Sequence, residues 1–108
     1  MNDGDVLLVI SSFPDRDTAV TVARELVERR LAACVNVQSP CESVYRWEGR
    51  LETAGEIPVF MKTTRERYAA LEAMLRDVHP YEVPEIIALP VTAGLPAYLD
   101  WVASEAKA

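Results

Sequence analysis

The chain has 108 residues, half of them hydrophobic, and a formal net charge of −6. This is the size of one compact domain, and no run approaches the ~20 apolar residues that span a bilayer. Eleven basic residues spread among seventeen acids disfavour nucleic-acid backbones and anionic membranes, which demand clustered Lys and Arg. Small cations suit this balance better, although the same acidic excess also serves solubility. Met1 to Asp5 is polar and acidic where a secretory leader would be basic and then apolar. The expectation is a single domain over residues 1–108, cytoplasmic, with Cys34 and Cys41 as free thiols.

Val6-Leu7-Leu8-Val9-Ile10 is apolar throughout and predicts a central strand covered on both faces, ended by Ser11, Ser12, Phe13 and Pro14. Asp15 and Asp17 place negative charge in the first turn of a helix, and Ala19, Val22, Ala23, Leu26 and Val27 recur at helical spacing up to about Leu31. A second strand follows through Ala33 to Val37. From Val44 to Thr63 the pattern predicts a hairpin turning at Trp47-Glu48-Gly49, with arms of roughly residues 33 to 47 and 50 to 63. Such arms exceed the usual length of about five or six residues, so the tip should overshoot the domain. Tyr45, Trp47, Leu51 and Ile57 would then form an apolar patch that calls for a subunit interface. Pro40 and Pro58 cannot donate to a ladder and predict edges or bulges.

Thr63-Thr64-Arg65-Glu66 reads as a capping box that opens a second helix, with Tyr68, Leu71, Met74, Leu75 and Val78 on one face. Ile86 to Leu89 predicts a last strand closed by Pro90. Leu95, Tyr98, Leu99 and Val102 mark a short final helix with Pro96 in its first turn. Strand, helix, strand, strand, helix, strand is the α+β ferredoxin-like βαββαβ sandwich, here with a long β-hairpin and an appended C-terminal helix. Its two helices cover one face of the sheet, and the other face and the hairpin edge are left for association.

The junction His79-Pro80-Tyr81-Glu82-Val83-Pro84-Glu85-Ile86 is the most specified stretch. Pro80 and Pro84 push His79 and Val83 into extended backbone, which holds Tyr81, Glu82 and Glu85 in a fixed arrangement where helix gives way to strand. A rigid connector with solvated acids and a ligand-facing cleft both fit it. His79 is the single histidine, so a closed His/Cys metal site within one chain lacks ligands. Neither G-x-S-x-G nor H-E-x-x-H occurs, and the four glycines form no phosphate-binding loop, which leaves acid–base work by Glu82 and Glu85 as the one catalytic option.

Leu31-Ala32-Ala33-Cys34-Val35-Asn36, Tyr45 with Trp47-Glu48-Gly49, Lys62-Thr63-Thr64, the run from His79 to Glu85, and Tyr98-Leu99-x-Trp101 occur in one order and at compatible spacing. In these segments the chain resembles the CutA divalent-cation-tolerance proteins over nearly its whole length. The resemblance implies a homotrimer whose long hairpins pair with neighbouring subunits, an architecture related to the trimeric PII signalling proteins, and an association with copper and other divalent metals without an obligatory cofactor. In copper-binding relatives it implies three ligands: a Cys shortly before the Pro-Asp of the first helix, and a His-His pair before Pro-Tyr. The matching positions here hold Ser11, Val78 and His79. A serine hydroxyl is a poor replacement for a thiolate at a soft or borderline ion. In a trimer, three copies of His79, or His79 with Glu82 or Glu85 of a neighbour, would hold one Cu²⁺ or Zn²⁺; the structural reading is that His79 caps the helix before it.

The expected function is therefore a non-enzymatic homotrimer of divalent-cation tolerance that binds Cu²⁺ or a similar ion weakly through His79, with Tyr45, Trp47 and Leu51 at the trimer interface. The alternative is a PII-like small-molecule sensor whose intersubunit cleft is lined by Lys62, Tyr81, Glu82, Glu85 and Trp47. Lys62 paired with an acid, and Trp47 anchoring an interface, would account for the same residues without a ligand.

Overall fold

In the computed structural model, which describes residues 5–108, the elements run β1 (Val6–Phe13), α1 (Arg16–Glu28), β2 (Cys34–Val37), β3 (Cys41–Trp47), β4 (Arg50–Thr64), α2 (Arg65–Val78), β5 (Ile87–Pro90) and α3 (Pro96–Glu105). All strand pairs are antiparallel: β2, β4, β1 and β5 lie side by side, and β3 pairs with the outer part of β4. This is the ferredoxin-like sheet with a projecting hairpin. β4 serves both parts, since its residues from Ile57 onward pair with β1 while those before it pair with β3. The hairpin draws the molecule out to 44 × 25 × 23 Å. Among the described residues no helix is long and apolar enough to cross a membrane.

Side chains alternate between the two faces of each strand. One face carries Val9 and Phe13 of β1, Val35 and Val37 of β2, and Ile57, Val59 and Met61 of β4, packed against Ala19, Val22 and Leu26 of α1 and Leu71, Met74 and Leu75 of α2. The other face carries Leu8, Ile10, Phe60, Ile87 and Leu89, placed opposite one another by the registers Leu8↔Leu89, Ile10↔Ile87 and Ile10↔Phe60. α3 covers only its end, where Val102 and Ala106 pack on Val6 and Ala33. Leu89, Tyr98 and Trp101 remain exposed beside it, as does Ile87, which is half accessible.

Several boundaries differ from the sequence reading, each for a local reason. β1 continues through Ser11, Ser12 and Phe13 because its ladder with β4 extends to the pair Phe13↔Ile57. α1 ends at Glu28, not Leu31: Arg30 adopts φ 57°, and the N–H groups of Leu31 and Ala32 turn back to the carbonyl of Leu26. The expected first hairpin arm is two strands, β2 and β3, interrupted at Gln38–Pro40. The cap of α2 is Thr64, whose Oγ1 accepts from the N–H of Arg67. Thr63 is instead a strand residue whose buried hydroxyl donates to the Leu31 carbonyl at 2.7 Å, so the box with Glu66 does not form.

The expected apolar patch on the hairpin is also redistributed. Tyr45 and Trp47 share one face, opposite Glu52 and Arg50, whereas Leu51 stands opposite Arg46 on the other face. Ile57 belongs to the buried core. Tyr45 and Trp47 therefore prolong the open sheet face outward, and Leu51 does not. The turn itself has φ 50° at Glu48 and 80° at Gly49, the two positive values that a tight hairpin with matching twist requires.

Candidate functional site

The Pro80 junction folds back against the end of β1, and His79 is its anchor. Its ring is buried, stacks on Phe13 at 4.5 Å between centroids, and lies 4.8 Å from the ring of Tyr81. Nε2 stands 2.8 Å from the carbonyl of Ser12, and Nδ1 3.1 Å from the backbone N–H of Tyr81. A carbonyl only accepts and a backbone N–H only donates, which assigns the neutral tautomer with its proton on Nε2. Burial holds the ring below its ordinary pKa, against smaller opposing effects of the Ser12 carbonyl and Glu56.

Around this anchor the open face gathers polar groups. The Tyr81 phenol lies beside Glu56 and is pushed up to about 12, first by burial and then by that carboxylate, with Tyr45 and Asp15 also nearby. The Ser12 hydroxyl lies 3.5 Å from Oε1 of Glu85. Tyr81 and Glu56 thus stand together where the hairpin leaves the body of the sheet, and Glu85 sits by Ser12 at the end of β1. Glu56, Ser12 and Asp15 were missed from sequence, because only the register of β1 against β4 brings Glu56 beside the junction.

The other candidate residues lie apart within one chain. Lys62 is six residues from Glu56 along β4, roughly 20 Å at ~3.3 Å per residue, and donates to Asn36 Oδ1. Trp47 faces Arg50 at the hairpin tip, the same interval beyond Glu56 in the other direction. Glu82 turns to the opposite side, into a shallow depression with Ala73, Arg76, Asp77 and Pro84. Of the proposed cleft, one protomer places Tyr81 and Glu85 at the junction and the other residues away from it.

The metal-ligand pattern is dispersed as well. Ser11 points into the helix-covered core, fully buried, and its hydroxyl has no hydrogen-bond partner among the described residues. Val78 lines a groove between α1 and α2 with Met74, Val22 and Asp17. Both nitrogens of His79 are engaged. Among the described residues no three His, Cys, Asp or Glu side chains converge as a metal site. The residues of a single chain therefore do not fit a resident metal ion.

A model of the CutA1 divalent ion tolerance proteins matches residues 7–105. The chain belongs to this family. It is 48% identical over 99 residues to a CutA homolog of Xenopus laevis, covering 92% of this chain and 66% of that protein. It is 42% identical over 95 residues to the divalent-cation tolerance protein CutA of Thermus thermophilus, covering 88% of this chain and 92% of that one. Against the mouse CutA protein the chain spans 56% of the relative's length. The solved structure of CutA from Xylella fastidiosa superposes with a TM-score of 0.92 at 43% identity, covering 95% of this chain and 99% of that one. The family is named for tolerance of cations and not for a catalysed reaction.

Proposed function

We propose that the chain acts in divalent-cation tolerance as a non-enzymatic homotrimer that associates through its open sheet face and hairpin. The observation that carries this reading is the unpartnered apolar row of Ile10, Phe60, Ile87 and Leu89, continued along the hairpin by Tyr45 and Trp47. Tyr45, Trp47, Ile87 and Leu89 are all more than 40% exposed in one protomer, an area that water tolerates poorly. A neighbour on that face would cover it and shield the strand edges of β3 and β5.

Cu²⁺ or a similar ion is bound weakly, between protomers. Nδ1 of His79 reaches such an ion only by releasing the Tyr81 N–H, and that exchange keeps the affinity low; the carboxylates of Glu56 and Glu85 supply hard oxygen donors at the same level of the sheet. Dialysis against buffered Cu²⁺, with molar mass by light scattering on the same samples, tests both parts. A trimer binding one or three ions, with binding lost in His79→Ala, supports the reading; a monomer, or a trimer whose copper content is unchanged by His79→Ala, overturns it. Tyr81 beside Glu56, with Glu85 held at Ser12 of the same junction, favours one second reading, a PII-like sensor that binds a small polar molecule between protomers. A metabolite that raises the melting temperature of the wild type and not of Glu85→Ala would support it.

A further inference from the structure

A second polar cluster lies on the open face at its α3 end, away from the Pro80 junction. The register of β2 against β4 sets Cys34 directly opposite Lys62, with both side chains on the same face. Directly opposed residues in an antiparallel pair have Cβ atoms ~4.5–5.5 Å apart. Both side chains also reach one atom: Cys34 Sγ lies 3.9 Å from Asn36 Oδ1, and Lys62 Nζ donates a hydrogen bond to that oxygen. Two groups that touch the same oxygen from opposed ladder positions are side by side. The Tyr98 phenol, carried in by α3, lies near Cys34. Among the described residues Lys62 makes no ion pair, so no carboxylate holds its amine away from the sulfur.

We propose that Cys34 and Lys62 form a reversible covalent cross-link when the protein meets hydrogen peroxide. The Cys34 thiolate attacks one peroxide oxygen and the O–O bond breaks, leaving a sulfenic acid and a hydroxide, which takes a proton from the Lys62 ammonium and leaves as water. The free amine of Lys62 then attacks that sulfur; an S–N bond forms, the S–O bond breaks, and a second water leaves with the proton lost from nitrogen. Sulfur gives up two electrons to the peroxide, and the nitrogen keeps its oxidation state. Two equivalents of an added thiol return the amine and the Cys34 thiol, with a disulfide of the added thiol as the other product. The half-buried position of Cys34 suits this outcome, because a small oxidant reaches it more readily than the thiol of another protein does. The link joins β2 to β4 and removes the positive charge of Lys62 from the face.

The test uses the full chain with Cys41→Ser, so that one thiol remains, treated with hydrogen peroxide and read by intact mass and tryptic mapping. The expected result is loss of two hydrogens per chain, no trypsin cleavage after Lys62, and a joined species containing Cys34 and Lys62, all reversed by dithiothreitol. It should run at single-chain size on a denaturing gel. Lys62→Arg, which keeps the charge but offers no nucleophilic amine, should lose the cross-link and carry Cys34 on to sulfinic acid while its circular dichroism is unchanged. The proposal is overturned if the parent gains oxygens at Cys34 with normal cleavage after Lys62, or if Lys62→Arg still loses two hydrogens.

Discussion

Ser11→Ala should make the protein more stable. The hydroxyl of Ser11 is fully buried between Val9 and Phe13 on the helix-covered face and has no hydrogen-bond partner among the described residues. A buried hydroxyl left unpaired forfeits its hydration, a cost of about 1–3 kcal/mol. Alanine removes that cost and opens a void of about 15–20 Å³, which at about 24 cal/mol per Å³ takes back about 0.4–0.5 kcal/mol. The net gain is about 0.5–2.5 kcal/mol, and in a domain of this size each kcal/mol raises the melting temperature by about 4–8 °C. Urea titration at matched protomer concentration measures it as a higher midpoint at unchanged slope. Thr63→Val is the paired control, because its hydroxyl is equally buried but donates to the Leu31 carbonyl at 2.7 Å. That variant orphans the carbonyl and should lose about 1–3 kcal/mol. A Ser11→Ala protein less stable than wild type by more than about 0.5 kcal/mol would show that the hydroxyl is satisfied after all, and the argument would fail.

Three further outcomes are expected. Below pH 6.5 the unfolded chain protonates His79 while the folded ring, held under its ordinary pKa, stays neutral; protons then favour the unfolded state. Stability contributed by the neutral ring is present above that pH and is lost as pH falls towards the folded value, so the urea midpoint should drop as pH is lowered through and below 6.5, and this slope should flatten in His79→Gln. Trp47→Ala should weaken assembly, since the indole is exposed at the hairpin tip on the open side; an unchanged molar mass by light scattering at low micromolar concentration would count against it. Glu48→Asn should stabilise by about 1 kcal/mol, because asparagine tolerates the left-handed backbone at φ 50° better than glutamate does, and an equal melting temperature would refute this.

What the sequence made legible was whatever depends on local pattern. The periodicities of Ala19–Leu26 and Leu71–Leu75 specify buried helix faces without any knowledge of their neighbours, and the structure keeps them. The prolines around Tyr81 specify an extended junction in the same local way. The candidate site was less legible because it depends on register. Whether Tyr45 and Leu51 share a patch turns on a one-residue alternation across a tight turn, and their separation onto opposite faces follows from the pair Arg46↔Leu51. Glu56 became part of the junction through the position of β4 against β1, while within one chain Lys62 lies apart from it, opposite Cys34 of β2. His79 shows the limit most sharply. Its residue type allows a ligand, a helix cap or an anchor, and only the two partners of its ring choose among them: a carbonyl on Nε2 and an N–H on Nδ1 make it, within one chain, the clasp that holds the junction to β1. Any metal at His79 would have to compete with the fold for Nδ1, because that nitrogen already accepts the Tyr81 N–H.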